Sequence, residues 1–262
     1  MSDEHRLYLK KKKQKKRAIL MTQIIVFITT IVTWEIASYL NLINPFLTSS
    51  PINVMKTIIK LYNENNLFNH IYITTYETII SFGLGTIIGL LIASIMWWND
   101  FIAKVLNPYL TVLNSLPKVA LGPILIIWVG ANMNSIVVMA LLISVIITII
   151  NVYHGFNNID ENKIKLLKSF KAKKWQIFAH LILPGNFKSI FNALKINISM
   201  SLIGVIMGEL LVSKQGIGYL IMYGSQVFNL NLVVTGIVLL CFVSFVMYYL
   251  VILLEKKFIR YD

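Results

Sequence analysis

Twenty-five consecutive residues, "TTYETIISFGLGTIIGLLIASIMWW" (74–98), carry one charged side chain, Glu77. A helix needs about 20 apolar residues to cross a bilayer core, whereas a spanning strand needs only about 9–11. Where no water reaches the backbone, a run this long has to close its hydrogen bonds within one helix. Five further stretches are long and apolar enough: about 18–40, 102–129, 134–153, 188–213 and 231–254. The third is interrupted by Pro117, Gly122 and Pro123. The chain is 57% hydrophobic and 13% charged, against about 45–50% and 25% in soluble domains. These features predict an all-α, multi-pass membrane protein with six transmembrane helices.

The cations set its orientation. With the N-terminus inside, the cytoplasmic face holds Arg6, Lys10 to Lys13, Lys15, Lys16, Arg17, Lys104, Lys163, Lys165, Lys168, Lys171, Lys173, Lys174, Lys188, Lys256, Lys257 and Arg260. The outside holds Lys56, Lys60 and Lys214, and two more, Lys118 and Lys195, fall inside predicted spans. This asymmetry predicts an N-in, C-in topology. The chain then divides into a basic cytoplasmic tail (1–17), a transmembrane domain (18–255) and a short cytoplasmic tail (256–262). The domain includes an outer segment (41–73) and a long cytoplasmic loop (154–187). The run "KKKKQKKR" suits anionic head groups. In the outer segment, Ser50-Pro51 reads as a cap and first turn, so a short surface helix is expected there.

Several chemistries find no support. The net charge of +13 lies between apolar runs, where it meets lipid before nucleic acid. The single cysteine, Cys241, is expected to pack within its span. The four histidines (His5, His70, His154, His180) are scattered and no metal-ligand spacing occurs. No G-x-x-x-x-G-K-[ST] motif is present, so any nucleotide chemistry belongs to another chain. No nucleophile–base arrangement suggests an enzyme. The first apolar run, from Ala18, is longer than a signal-peptide core.

The long internal loop is the informative one. Ile164, Leu167 and Phe170 recur at intervals of three, as do Trp175, Phe178 and Leu181, with lysines between them. The residues support two readings: an amphipathic helix lying in the head groups, or a short helix offered to a cytoplasmic protein. Pro184 ends the segment before the fifth span.

"KSFKAKKWQIFAHLILP" (168–184) resembles the end of the cytoplasmic loop of bacterial ABC importer permeases, whose pattern is E-A-A, three residues, Gly, nine residues, I-x-L-P. Aligned on Leu183-Pro184, the I position is Leu181, the Gly position Lys171, and E-A-A falls on Lys165, Leu166 and Leu167. The Leu-Pro end matches; the Glu, both Ala and the Gly do not. "LPKVALGPILIIWVG" (116–130) and "MGELLVSKQGIGYLI" (207–221) are similar to the third- and fifth-span signatures of the nitrate/sulfonate/taurine type of binding-protein-dependent permease. With "FLTSSP" and "SFGLGTIIGLLIAS", the resemblance covers nearly the whole chain.

The resemblance implies a type I ABC importer permease in the bacterial plasma membrane. It implies a second permease copy (itself or a homologue), two ATPase subunits that bind the ATP, an extracellular substrate-binding protein, and no cofactor in this chain. The solute would be a sulfonate, a nitrate-like anion or a vitamin precursor. It makes the loop a coupling helix, with Ile164, Lys165, Leu166, Leu167, Phe170, Lys171, Trp175 and Pro184 as the docking set and acidic residues expected in the partner groove. It points to Glu209 for the pathway or gate; the break at Pro117, Lys118 and Pro123 fits a pathway or a tight helix contact, because irregular backbone at membrane depth needs protein or water around it. An ionisable group within a span is a functional candidate by cost alone. Glu35 and Glu77 read instead as interface residues beside aromatic anchors, and Lys118 and Lys195 as snorkelling. Gly85, Gly89 and Ala93 form a small-residue stripe for helix packing. The alternative from another class, a stand-alone secondary transporter or channel, would need repeated halves with broken helices, and no repeat is visible.

Overall fold

A computed structural model describes residues 3–64 and 66–258. Arg260 and the Arg6 side chain, both used above for orientation, lie outside the described residues. Every element described is helical. The chain runs through α1 (Asp3–Tyr39), α2 (Pro45–Thr48), α3 (Pro51–Asn63), α4 (Leu67–Trp98) and α5 (Asp100–Ser115). A 3₁₀ turn (Lys118–Leu121) leads into α6 (Gly122–Val129) and α7 (Met133–Asn157). Next come α8 (Glu161–Ser169), α9 (Lys174–Ile177), a π-helical turn (Phe178–Ile182), α10 (Leu183–Gly185), α11 (Phe187–Val212), α12 (Ile217–Gln226) and α13 (Leu230–Phe258).

Five helices, α1, α4, α7, α11 and α13, are each long and apolar enough to cross a membrane. The expected third span is broken: α5 and the segment Lys118–Val129 meet at 88°. Leu116 is held extended (φ −65°, ψ 139°), the conformation that a following proline enforces. The broken pair still traverses the bundle. Ala103 and Leu110 pack with Met96 of α4 and with Ile146 and Ile149 of α7. Gly122 lies instead against Met139 and Leu211, towards the opposite end.

The core is α7 clamped between α4 and α11. Small residues let the backbones approach. A Cβ on Gly89 would stand 2.6 Å from Thr148 Cγ2, and one on Gly208 2.8 Å from Ile136 Cα. The buried face of α4 reads His70, Thr74, Glu77, Thr78, Ser81, Gly85, Gly89, Ala93, Met96. That stripe is polar at one end of the bundle and small and apolar at the other.

α1 stands largely apart and meets the rest only near α2 and α3. Its helix begins at Asp3, so the basic run expected as a tail is helical. Ser50 accepts the Asn53 N–H, with Pro51 in the first turn of α3, as the sequence suggests. Glu35 also reaches this turn, accepting the Ile52 N–H at 3.1 Å. Cys241, expected to pack, is exposed on α13.

Candidate functional site

The loop between α7 and α11 folds into a rigid elbow. α8 is started by Asp160, whose side chain accepts the Asn162 N–H at 2.9 Å. It ends in a turn with two hydrogen bonds, Lys171 N–H to Lys168 O (2.9 Å) and Ala172 N–H to Leu167 O (3.0 Å). These are the bonds of a Schellman motif, which needs a left-handed residue at its penultimate position. Lys171 supplies it, with φ +59°. The position where the permease pattern has glycine therefore keeps a glycine-like backbone although it carries a lysine. The bend does not depend on the glycine. α9 is started by Gln176, whose side chain accepts the Lys173 N–H at 2.7 Å.

The elbow rests on the ends of α4 and α7. Ile177 and Ile182 are buried with Ala93, Val152, Phe156 and Ala193, and Ile164, Leu167, Ala172, Phe178 and Leu181 pack onto that cluster. The Phe178 ring centroid is 5.1 Å from Trp97 and 5.7 Å from Phe156. Lys174 donates to the Trp98 carbonyl at 2.6 Å and lies 5.6 Å over the Trp97 ring.

The two apolar sets separate once folded. Ile164 and Leu167 face inward, so they are not free to enter a partner's groove. Leu166, Phe170 and Trp175 are 56%, 74% and 58% exposed. Lys165 is exposed and pairs with Glu161 at 3.6 Å. Pro184 is exposed where the elbow enters α11. Of the eight residues expected for docking, only Ile164 and Leu167 are internal.

At the opposite end of the bundle Glu209 is 1% exposed. It does not open onto a channel within this protomer. Its Oε1 accepts the Thr74 hydroxyl and its Oε2 the Gly218 N–H, both at 2.6 Å. Thr74 Oγ1 accepts the Ile217 N–H at 2.8 Å, and His70 Nδ1 the Gly216 N–H at 2.9 Å. The first N–H groups of a helix have no partner within it. Those of α12 are taken by three side chains from α4 and α11, and an anion suits a helix N-terminus. Gly216 has φ +104°, and a Cβ there would collide with the Glu209 carboxylate. Glu77, read from sequence as an interface residue, is instead 4% exposed beside Glu209.

Pro117 and Pro123 are exposed on the break between α5 and α6. Lys118 turns back to the Asn114 carbonyl at 2.9 Å. Among the described residues, the hydrogen bonds of Glu209 go to Thr74 and α12, not to these three. Lys195 pairs with Glu255, near the end of α13, at 2.8 Å. Sequence reasoning missed His70, Thr74, Glu77 and Glu255 as structural partners. The spacing of the first three, on one face of a helix, was the available signal.

An elbow braced against two spans lies at one end of this multi-pass helical protein, and a helix start capped by buried side chains at the other. The chain belongs to the family described as binding-protein-dependent transport system inner membrane component, whose model matches residues 85–260. It is similar to the putative aliphatic sulfonates transport permease protein SsuC of Bacillus subtilis, 25% identical over 97% of this chain and 92% of that protein. It is 29% identical to the formylaminopyrimidine transport permease protein ThiX of Halalkalibacterium halodurans, over 74% of this chain and 76% of that one. Its fold is that of a chain of the MetNI methionine ABC transporter in an inward-facing conformation, with a TM-score of 0.66, 17% identity, and coverage of 74% of this chain and 96% of that chain.

The protein is thus the membrane-spanning permease subunit of an ABC importer, a multi-pass protein of the plasma membrane. It is a transport subunit rather than an enzyme, and it works with an ATPase and a substrate-binding protein. That assignment displaces the secondary-transporter alternative.

Proposed function

We propose that two copies of this chain, or this chain and a homologue, enclose a path for a small solute. An ATPase subunit docks on each elbow and holds the ATP, and a binding protein delivers solute from outside. The elbow end faces the cytoplasm, as the distribution of lysines argues. Relatives named for aliphatic sulfonates, taurine, formylaminopyrimidine and riboflavin support a solute that is a sulfonate, a related small anion or a vitamin precursor.

The observation that carries the docking is the exposed trio Leu166, Phe170 and Trp175 on an elbow whose other face is buried. Apolar anchors presented by short helices suit a groove. Lys165, Lys171 and Lys173 surround them and favour acidic groove walls. A push on the anchors reaches α4 and α7 through Phe178, Ile177 and Lys174 without a flexible link. The broken span lines the path in this reading. Its exposed residues Leu116, Val119, Ile124, Ile127 and Trp128 flank irregular backbone, which a bilayer tolerates only against protein or water.

The test is retention of the ATPase on affinity-tagged permease. Buried interface anchors typically cost about 2 kcal/mol or more on truncation, and rim charges about 0–1 kcal/mol. Phe170→Ala with Trp175→Ala should strip the ATPase while the permease stays folded. Lys173→Ala should mainly slow association and reduce its salt dependence. Wild-type retention in the aromatic double variant, with loss in the lysine variant, would overturn the docking assignment.

A further inference from the structure

Among the described residues, the knot at the start of α12 joins two carboxyl groups, Glu77 and Glu209, with His70 and Thr74. Glu209 is already an acceptor at both oxygens. Thr74 Oγ1 accepts a hydrogen bond from the Ile217 N–H, so its own proton points to Glu209 Oε1. Gly218 donates to Oε2, and the Tyr219 N–H donates to the same carboxylate. Glu77 sits within hydrogen-bonding reach of Glu209. Yet its Oε2 is buried and finds no donor among the described residues.

A carboxylate only accepts hydrogen bonds, whereas a protonated carboxyl also donates one. Two ionised carboxylates cannot hydrogen-bond to each other. The inventory of donors therefore decides where a shared proton sits. The Thr74 hydroxyl and the Gly218 and Tyr219 N–H groups are all aimed at Glu209, while the Gly216 and Ile217 N–H groups go to His70 and Thr74. The buried oxygen left without a donor among the described residues is Glu77 Oε2, on a side chain one helical turn from Thr74 on the same face of α4. Among the described residues the ion pairs of lysine are with Glu64, Asp100, Glu161 and Glu255, not with Glu77 or Glu209. The other titratable groups nearby are His70, whose Nδ1 accepts from Gly216 and whose ring proton is therefore on Nε2, and Tyr219, stacked 6.0 Å from His70.

We propose that Glu77 is a positioning residue that carries a resident proton: its neutral carboxyl donates to ionised Glu209 and so keeps Glu209 fixed as the cap of α12. Three elements meet there, α4 through His70, Thr74 and Glu77, α11 through Glu209, and α12 through its first backbone N–H groups. The proton removes the repulsion that two adjacent carboxylates would otherwise impose on this junction. It also lets one carboxylate serve several donors at once. α12 joins the fifth and sixth spans at the end away from the ATPase, so its orientation is set relative to α4 by this proton.

The proposal predicts an asymmetry. Gln at 77 still donates to Glu209 through its amide, so Glu77→Gln should keep uptake within about twofold of wild type in the reconstituted transporter with its ATPase and binding protein. Glu77→Leu removes the donor and should lower uptake severely. Gln at 209 turns an amide N–H towards the Gly218 or Thr74 donor, so Glu209→Gln should also lose uptake. A direct readout separates proton placement from general damage. Infrared spectra of the complex in ester-free detergent at neutral pH should show the C=O stretch of a buried protonated carboxyl. That band should be absent from Glu77→Gln. A wild-type spectrum without the band would overturn the proposal. So would a band that survives Glu77→Gln and disappears in Glu209→Gln, or a reversed tolerance for Gln at the two positions. The spectrum needs only folded complex, so it decides the matter even where a variant is inactive.

Discussion

Lys195 Nζ lies 2.8 Å from Glu255 Oε2, with side-chain exposures of 19% and 10%, and ties the first half of α11 to the end of α13. Lys195 also donates to Asn192 Oδ1 at 3.3 Å. Breaking a largely buried pair strands one charge and costs about 3–5 kcal/mol, although the intact pair itself adds little over apolar residues of the same shape. Lys195→Met and Glu255→Leu should each lower the thermal midpoint of the detergent-purified protein sharply. Lys195→Met combined with Glu255→Leu should recover most of the loss. A double-variant midpoint equal to the sum of the two single losses would show that the groups are not coupled.

Lys171 holds a left-handed backbone (φ +59°), which costs a residue bearing a Cβ about 1–2 kcal/mol. Glycine has no such cost, and it can satisfy the same two turn hydrogen bonds. Lys171→Gly should therefore leave the thermal midpoint unchanged or raise it, the gain in the fold being partly offset by a more flexible unfolded chain. Lys171→Val, branched at Cβ, should lower it clearly. A lysine-specific role would appear as the opposite pattern, with glycine the more damaging of the two.

The spans were legible because a long apolar run has few folds open to it, and the bend at Leu116-Pro117 because proline restricts its predecessor. The elbow was legible as a pair of apolar periodicities, but periodicity does not say which stripe is covered. Ile164 and Leu167 turned inward because the ends of α4 and α7 lie beneath α8, and no local pattern reports that. Glu77 and Glu209 are 132 residues apart in sequence, and their pairing follows from how α4 and α11 flank α7. Lys195 lacked a visible partner for the same reason: Glu255 sits at the far end of the next span.

The orientation has a direct check. Residue 173 lies on the elbow and residue 56 on α3, and both side chains are exposed. With the native Cys241 replaced by serine, a cysteine at 173 should react with a membrane-impermeant maleimide only in inverted vesicles. A cysteine at 56 should react only in right-side-out cells. The reverse pattern would invert the assignment of both ends, and with it the placement of the ATPase.

Two glycines of the core test how α7 is clamped. A Cβ on Gly204 collides with the Cα of Ala140 and stands 3.1 Å from its backbone nitrogen. A Cβ on Gly85 meets the Ser144 hydroxyl at 2.5 Å and its Cβ at 3.3 Å. The first obstacle is main chain, so no rotamer removes it, and α11 has to move away from α7. The second is the end of a side chain that is buried and has no hydrogen-bond partner among the described residues. Overpacking a well-filled core costs about 1–3 kcal/mol. Gly204→Ala should fall in or above that range by thermal or denaturant unfolding, and Ala140→Gly should not rescue it. Gly85→Ala should cost less, and adding Ser144→Ala should return the midpoint to within a degree or two of wild type, because the removed hydroxyl made no hydrogen bond to lose. Equal costs at the two positions, or rescue of Gly204→Ala by Ala140→Gly, would mean that α7 and α11 are not held at the backbone separation described.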